Sequence, residues 1–382
     1  MTSRPVKLLV VSTSLNTGGA QRFVSNLLGH LDRNRIQPSL CLLRDDIGFS
    51  LPVDVLVSVL GFEQRWQLPI AVWRLRRAIS QMKPDVILSN IAATNLVTGL
   101  ALLRCRHRPG WIARVGNSPS RHDGTIRRLI ARRVYPLADR LVVNSNGLVD
   151  DLGDQYSIER GRIDVLGNPT DFPAIEARAA ETPVLVWNRP EPLLIAVGRL
   201  FEQKRYDVML RALARVVAQI PAHLWICGDG PERERLQKLA EQLGVASHVT
   251  FLGFVENPYA LMKQATLFVM SSDHEGLPNS LIESQGLGLA AVSTRCPHGP
   301  DEIIEHGQTG LLTPVADPAA FADAILQLLL DEPRRAVIGT AAAKTARTRF
   351  GASEIADHWS DLIETTSGID AACTEGVPSC VA

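Results

Sequence analysis

Short apolar runs that end in polar, often glycine-bearing turns and then pass into helical periodicity recur along this chain, and no other feature restricts its fold so tightly. Residues 7–12 form the first run, followed by Asn16-Thr17-Gly18-Gly19-Ala20 and by Phe23, Leu27, Leu28 and Leu31 at helical spacing. Residues 39–43, 53–60, 86–88, 111–114 and 140–143 read as further strands between helical stretches. Strands that are apolar throughout, alternating with helices, predict a parallel sheet covered on both faces. Between 172 and 192 the pattern fails, and Pro173, Pro183, Pro190 and Pro192 punctuate an alanine-rich connection. A second series then begins, with strands at 193–197, 224–227, 249–252, 267–270 and 290–293.

The expected organisation is a first domain over 1–171, a linker over 172–192, a second domain over 193–348, a final helix over 349–366 and a frayed tail over 367–382. A length of 382 residues fits two domains, and 46% hydrophobic residues against 21% charged ones exclude a disordered chain. The longest membrane-like stretch, 91–103, is interrupted by Thr94, Asn95 and Thr98, so no span is expected. Residues 6–11 are too short for a cleaved export signal. Six cysteines without a paired spacing or neighbouring ligands read as free thiols of a reducing cytoplasm, and no metal is expected.

A formal net charge of zero hides two electrically different halves. Residues 1–170 hold 23 Lys+Arg against 13 Asp+Glu, which leaves 17 against 27 for residues 171–382. Much of the excess falls where Arg127, Arg128, Arg132 and Arg133 alternate with Leu129, Ile130 and Val134. That pattern is a basic amphipathic helix, either a solvated face over the core or a patch for anionic lipid or a phosphate-bearing acceptor.

Open parallel sheets bind ligands beyond the C-terminal ends of their strands, so the loops there carry the chemistry. Gly18 and Gly19 precede a helix, where bare backbone amides and the helix dipole can receive a phosphate, or where the glycines only shape the turn. Gly198-Arg199-Leu200 is followed by Lys204, either a guanidinium and an ammonium suited to a diphosphate or two surface cations at a helix start. Residues 271–280, with His274, Glu275, Gly276 and Leu277, lead from a strand into a helix bearing Glu283, so two carboxylates can face one polyhydroxylated ligand. Gly228-Asp229-Gly230-Pro231 either lines a nucleotide pocket or only shapes its turn.

Taken in this order, and with Gly253-Phe254-Val255 and the 307–314 segment, these motifs resemble the family 4 glycosyltransferases. The resemblance implies the GT-B fold: two facing Rossmann-like, doubly wound α/β domains with an interdomain cleft, the final helix returning to the first. It implies a metal-independent, retaining hexosyl or N-acetylhexosaminyl transfer from a nucleotide sugar, with UDP the expected nucleotide. The acceptor would be a lipid-linked saccharide or polysaccharide of the cell surface, met at the cytoplasmic membrane face. Arg199, Lys204 and Glu275 would be catalytic, the two cations offsetting charge on the departing diphosphate. Glu275 and the amides near Gly276, with His274 and Leu277, would orient the hexose. Glu283 would bind the ribose, the Val255 backbone would read the base, and Gly18, Gly19, Gly228 and Gly230 would line the substrates. No cofactor and no nucleic acid enter.

Two departures stand out. Asn117 occupies the stretch where many relatives carry a first-domain histidine, and Gly286 and Gly288 interrupt what is usually an alanine-rich helix after Glu283. A nucleotide-sugar epimerase on the same fold and a non-catalytic sugar-binding protein are the alternative readings. A nicotinamide oxidoreductase would need a complete GxGxxG with a distal acid, which neither half has.

Overall fold

The computed structural model describes residues 4–16, 18–62, 64–103, 105, 108–116 and 125–368. The chain forms two compact units, the first reaching Pro169 and resuming at Ala352, the second running from Thr170 to Gly351.

In the first unit seven strands, β1 (Val6–Ser12), β2 (Ile36–Leu42), β3 (Leu56–Val59), β4 (Val86–Asn90), β5 (Gly110–Val115), β6 (Arg140–Val143) and β7 (Ile163–Val165), pair in parallel in the order β3-β2-β1-β4-β5-β6-β7. The order reverses between β1 and β4. One face of the sheet is covered by the helices Leu68–Met82, Ala92–Leu102 and Thr125–Val134, which lie side by side. The other is covered by Gly19–His30 and by the last helix, Ala352–Ser367, whose Trp359 packs against Phe23 with ring centroids 5.3 Å apart. Arg35 ties that helix to β2 by bonding Asp361 at 2.6 Å and also Glu364. The strand read at 53–60 shrinks to β3 because it is an edge strand whose residues are largely exposed. Strand β7 was not anticipated, since three residues leave no pattern.

The second unit holds six parallel strands, β8 (Leu193–Val197), β9 (His223–Cys227), β10 (Val249–Gly253), β11 (Leu267–Met270), β12 (Ala291–Thr294) and β13 (Leu311–Thr313), in the order β10-β9-β8-β11-β12-β13. Its reversal lies between β8 and β11. Helices Tyr206–Val217 and Pro318–Leu330 pack on one face, and Asn279–Gly286 with the C-terminal part of Glu332–Phe350 on the other.

The stretch 172–192 is not a linker throughout. Asp171 accepts a hydrogen bond from the Ala174 amide at 2.9 Å and starts the helix Phe172–Ala179, whose Phe172, Ile175 and Ala179 are buried in the second unit. Pro173, taken as a break, occupies the first helical turn, where a missing N–H costs nothing. The helix Glu332–Phe350 was also missed; its alanine-rich sequence is weakly amphipathic, although Asp331 and Pro333 are a start signal.

The two glycines after Glu283 have different reasons. A methyl group at Gly286 would sit 2.1 Å from Cε1 of Phe172, so close packing requires it, whereas Gly288 has open space around it but a left-handed φ of +86°. Gly286→Ala is expected to cost about 1–3 kcal/mol in urea unfolding, because the Phe172 ring is buried and cannot swing out freely. Unchanged stability would mean that this packing is looser than described.

Candidate active site

The switch point of the second sheet brings together loops that lie 71 residues apart in sequence. The loop after β8 carries Lys204 and the loop after β11 carries Glu275, and Nζ of the first meets Oε1 of the second at 2.6 Å. Ser272 Oγ donates to the same carboxylate oxygen at 2.6 Å. Lys204 is 18% exposed and Glu275 9%, so the pair is largely withdrawn from water, where a broken ion pair is expensive.

The backbone beneath it is held from several sides. Arg205 has φ +46°, a left-handed conformation costly for a side-chain-bearing residue. It persists because Ser271 Oγ donates to the Lys204 and Arg205 carbonyls at 2.9 and 2.8 Å, while the guanidinium binds Asp207 and Asp273, each at 3.0 Å. Those hydrogen bonds, Asp207 first, hold Arg205 above its usual range. Gln203 adds a bond from Nε2 to the His274 carbonyl at 2.7 Å, and its own carbonyl receives the Asp273 amide at 2.9 Å. Strain held by so many contacts marks a place where the chain has a fixed task.

Arg199 is exposed and stacks its guanidinium 4.9 Å over the Phe201 ring. The Lys204 stem passes Gly198, since a methyl there would lie 3.5 Å from Cε of Lys204 and 3.3 Å from the Tyr206 hydroxyl. Burial pushes that hydroxyl's pKa up, so it remains a donor, and it bonds the Gly198 carbonyl at 3.0 Å. Gly228 stands directly against this loop: its Cβ would fall 1.9 Å from the Gly198 oxygen, and that of Gly230 2.4 Å from the Leu200 oxygen. Their own packing therefore accounts for both glycines.

Gly276 and Leu277 are buried beside Glu275, and Gly299 in the loop after β12 approaches so closely that its Cβ would meet the Gly276 oxygen at 2.3 Å. Glu283 lies in the helix Asn279–Gly286 and is 4% exposed. Val255 is half-buried after β10, next to exposed Phe254. The strand-end thiols are inert, with burial pushing both Cys227 and Cys296 up to about 12. Among the described residues no three His, Cys, Asp or Glu side chains group to hold a metal ion.

In the first unit Gly18 has φ +111° and caps the helix Gly19–His30, beyond the end of β1. Across its switch point Ile91, at the end of β4, has φ +82°, a strained value for a β-branched residue. Arg114, at the end of β5, is 1% exposed and bonds Asn90 Oδ1 at 2.7 Å and Asn168 Oδ1 at 2.5 Å, with its guanidinium 3.9 Å from the Phe23 ring centroid. Burial pushes it down to about 9. Asn90 in turn donates to the Ala20 carbonyl at 2.7 Å, so the ends of β4 and β5 and the first helix are joined. Asn117 lies outside the described residues.

Ser272, Arg205, Tyr206 and Asp273 were missed as supports of the site. Ser272 and Asp273 stood inside a loop already singled out, whereas nothing in the sequence announces Arg205 or Tyr206 beyond adjacency to Lys204.

Residues 17–172 match the family model of Glycosyltransferase Family 4, and residues 177–345 match that of Glycosyl transferases group 1. A lipopolysaccharide core biosynthesis glycosyltransferase of Rhizobium meliloti, LpsE, is 27% identical over 91% of this chain and 96% of its own. A Campylobacter jejuni N-acetylgalactosamine-N,N'-diacetylbacillosaminyl-diphospho-undecaprenol 4-alpha-N-acetylgalactosaminyltransferase is 28% identical over 92% of this chain and 97% of its own. HepE of Anabaena, solved in complex with UDP-glucose, superposes with a TM-score of 0.79 at 19% identity, covering 94% of this chain and 99% of its own, which shows the shared GT-B fold. With two parallel-sheet domains and both family models matched, the chain belongs to the group 1, family 4 glycosyltransferases of glycan biosynthesis.

Proposed function

We propose that this glycosyltransferase moves a hexosyl or N-acetylhexosaminyl group from a UDP-sugar, with retention and without a metal, to a lipid-linked saccharide or polysaccharide in cell-surface glycan synthesis. The observation that carries the reading is the Lys204–Glu275 pair at the switch point, in the same loop after β8 as Arg199. A departing diphosphate gathers negative charge as the sugar's C1–oxygen bond breaks, and the electron pair goes to the diphosphate. Arg199 and Lys204 offset that charge. The acceptor hydroxyl forms the new bond to C1 on the same face, and its proton passes to the leaving oxygen. Glu275, His274 and the Gly276 and Leu277 backbone orient the hexose. Glu283 takes the ribose hydroxyls, and the Val255 backbone takes the base. Gly228 and Gly230 keep the strand-end loops close enough for a diphosphate to approach, and Gly18, Gly19 and Asn117 serve the reacting groups from the first unit. The Campylobacter relative's diphospho-undecaprenol acceptor and the UDP-glucose bound by HepE support this choice of substrates.

The test is a thermal-unfolding screen of UDP-, GDP-, ADP- and dTDP-sugars. At a hundred times its Kd a ligand of the folded state is expected to raise Tm by about 5 °C or more. Protection by a GDP- or ADP-sugar alone overturns the UDP assignment. Turnover is expected to persist in EDTA, because side-chain cations meet the leaving group; a loss restored by Mg²⁺ would hand that role to an ion. Release of an altered free nucleotide sugar without acceptor would identify an epimerase instead.

A further inference from the structure

The outer side of the three-helix layer on the first unit carries large apolar side chains that its own fold leaves uncovered. In the helix Leu68–Met82, Ala71, Leu75 and Ile79 face the core, while Ile70, Trp73 and Arg77 form the opposite stripe. Trp73 is 56% exposed and Trp66, in the turn just before the helix, 68%. Arg77 lies over the Trp73 ring, its guanidinium carbon 5.9 Å from the centroid. Arg76 reaches sideways to the Leu100 and Ala101 carbonyls at the end of the neighbouring helix Ala92–Leu102, next to exposed Leu103. On the third helix Leu129 and Ile130 are exposed among Arg132 and Arg133, whereas Val134 is buried in the core. The side chain of Arg127 lies outside the described residues.

Charge selects the occupant of this face. The three helices of this layer hold seven arginines and no Asp or Glu. Indoles and branched aliphatics interspersed with guanidinium groups, with no carboxylate on the same helices, match the boundary between lipid headgroups and acyl chains.

We propose that Trp66, Ile70 and Trp73 insert at the surface of an anionic bilayer while Arg77, Arg132 and Arg133 contact its headgroups. This deepens the reading of a lipid-linked acceptor, on which it rests, and moves the centre of attachment from the arginine helix to Leu68–Met82. The arginines supply the long-range attraction that salt screens, and the indoles supply the short-range part that it does not.

Of the six tryptophans, Trp111, Trp225 and Trp359 are fully buried and Trp187 is half-buried, so quenching from a membrane reports mainly on Trp66 and Trp73. The full chain is mixed with vesicles of phosphatidylglycerol and phosphatidylcholine, or of phosphatidylcholine alone, with or without brominated acyl chains. Anionic vesicles are expected to bind it, brominated ones to quench its fluorescence, and Trp66→Ala/Trp73→Ala to bind about tenfold more weakly with that quenching lost. Both residues are exposed, so the variant is expected to keep the wild-type Tm. Vesicle binding with no quenching, or a double variant that sediments like wild type, overturns this surface. So does concentration-dependent dimerisation that the double variant abolishes without any vesicle binding, which would make the face a contact between copies. Protection by UDP-sugars is read separately on both proteins: its absence sinks the transferase substrates, whereas its presence with no membrane binding sinks only the docking face.

Discussion

Replacing Lys204 by alanine is expected to lower kcat about a hundredfold or more, because a charge set against a developing anion acts mainly in the transition state. The structure adds a second consequence. Glu275 loses its partner while remaining buried, with only Ser272 Oγ left to donate, so the variant is also expected to lose about 2–3 kcal/mol of stability. A slow and unstable variant cannot by itself separate catalysis from folding. The pair Lys204→Met with Glu275→Gln removes both charges and keeps the Ser272 hydrogen bond available. It is expected to regain most of the stability in urea unfolding and none of the turnover. If it regains both, or if Lys204→Ala folds and turns over normally, the pair is a structural brace and the diphosphate must be met elsewhere.

The same ion pair marks where sequence reading stopped. Buried parallel strands are continuous apolar runs, so most of β1 to β12 could be placed from residue type alone. The edge strand β3 is shorter than its 53–60 reading because exposure blurs its bounds, and the three-residue β7 and β13 escape because brevity erases the signal. Arg199 and Glu275 stand out by charge beside glycine, Lys204 by following Arg199 and Glu283 by its place among apolar residues, yet nothing in their spacing says that Lys204 and Glu275 touch. That contact follows from β8 and β11 being neighbours, a fact of sheet order that comes from packing every strand at once. The left-handed Arg205 and its brace to Asp273 are further from reach, since the sequence shows an arginine where the backbone calls for glycine. The sequence pairs Lys204 with Arg199 as cations, whereas in the fold its ammonium is engaged by Glu275 at 2.6 Å.

Gly228→Ala is expected to be the most damaging single change in the second unit. The residue has φ +151°, and its amide donates to the Gly253 carbonyl at 2.7 Å, while the adjoining Cys227 carbonyl receives the Gly198 amide at 3.0 Å. Three strand ends are thereby stitched together by backbone alone. A methyl group at 1.9 Å from the Gly198 oxygen has only backbone to push against, and backbone cannot rotate aside as a side chain can. The expected cost is about 4 kcal/mol or more, enough to leave much of the protein unfolded. Gly307→Ala is the control, with φ +83° but open space around it, and its cost should stay near about 1 kcal/mol. At Gly230 a methyl would lie 2.4 Å from the Leu200 oxygen, so Gly230→Ala should fall between them. If Gly228→Ala unfolds in urea within about 1 kcal/mol of wild type, the loops are not packed as described. If instead it folds normally but loses nucleotide-sugar protection, the glycine serves the approach of a phosphate and its closeness to Gly198 is incidental.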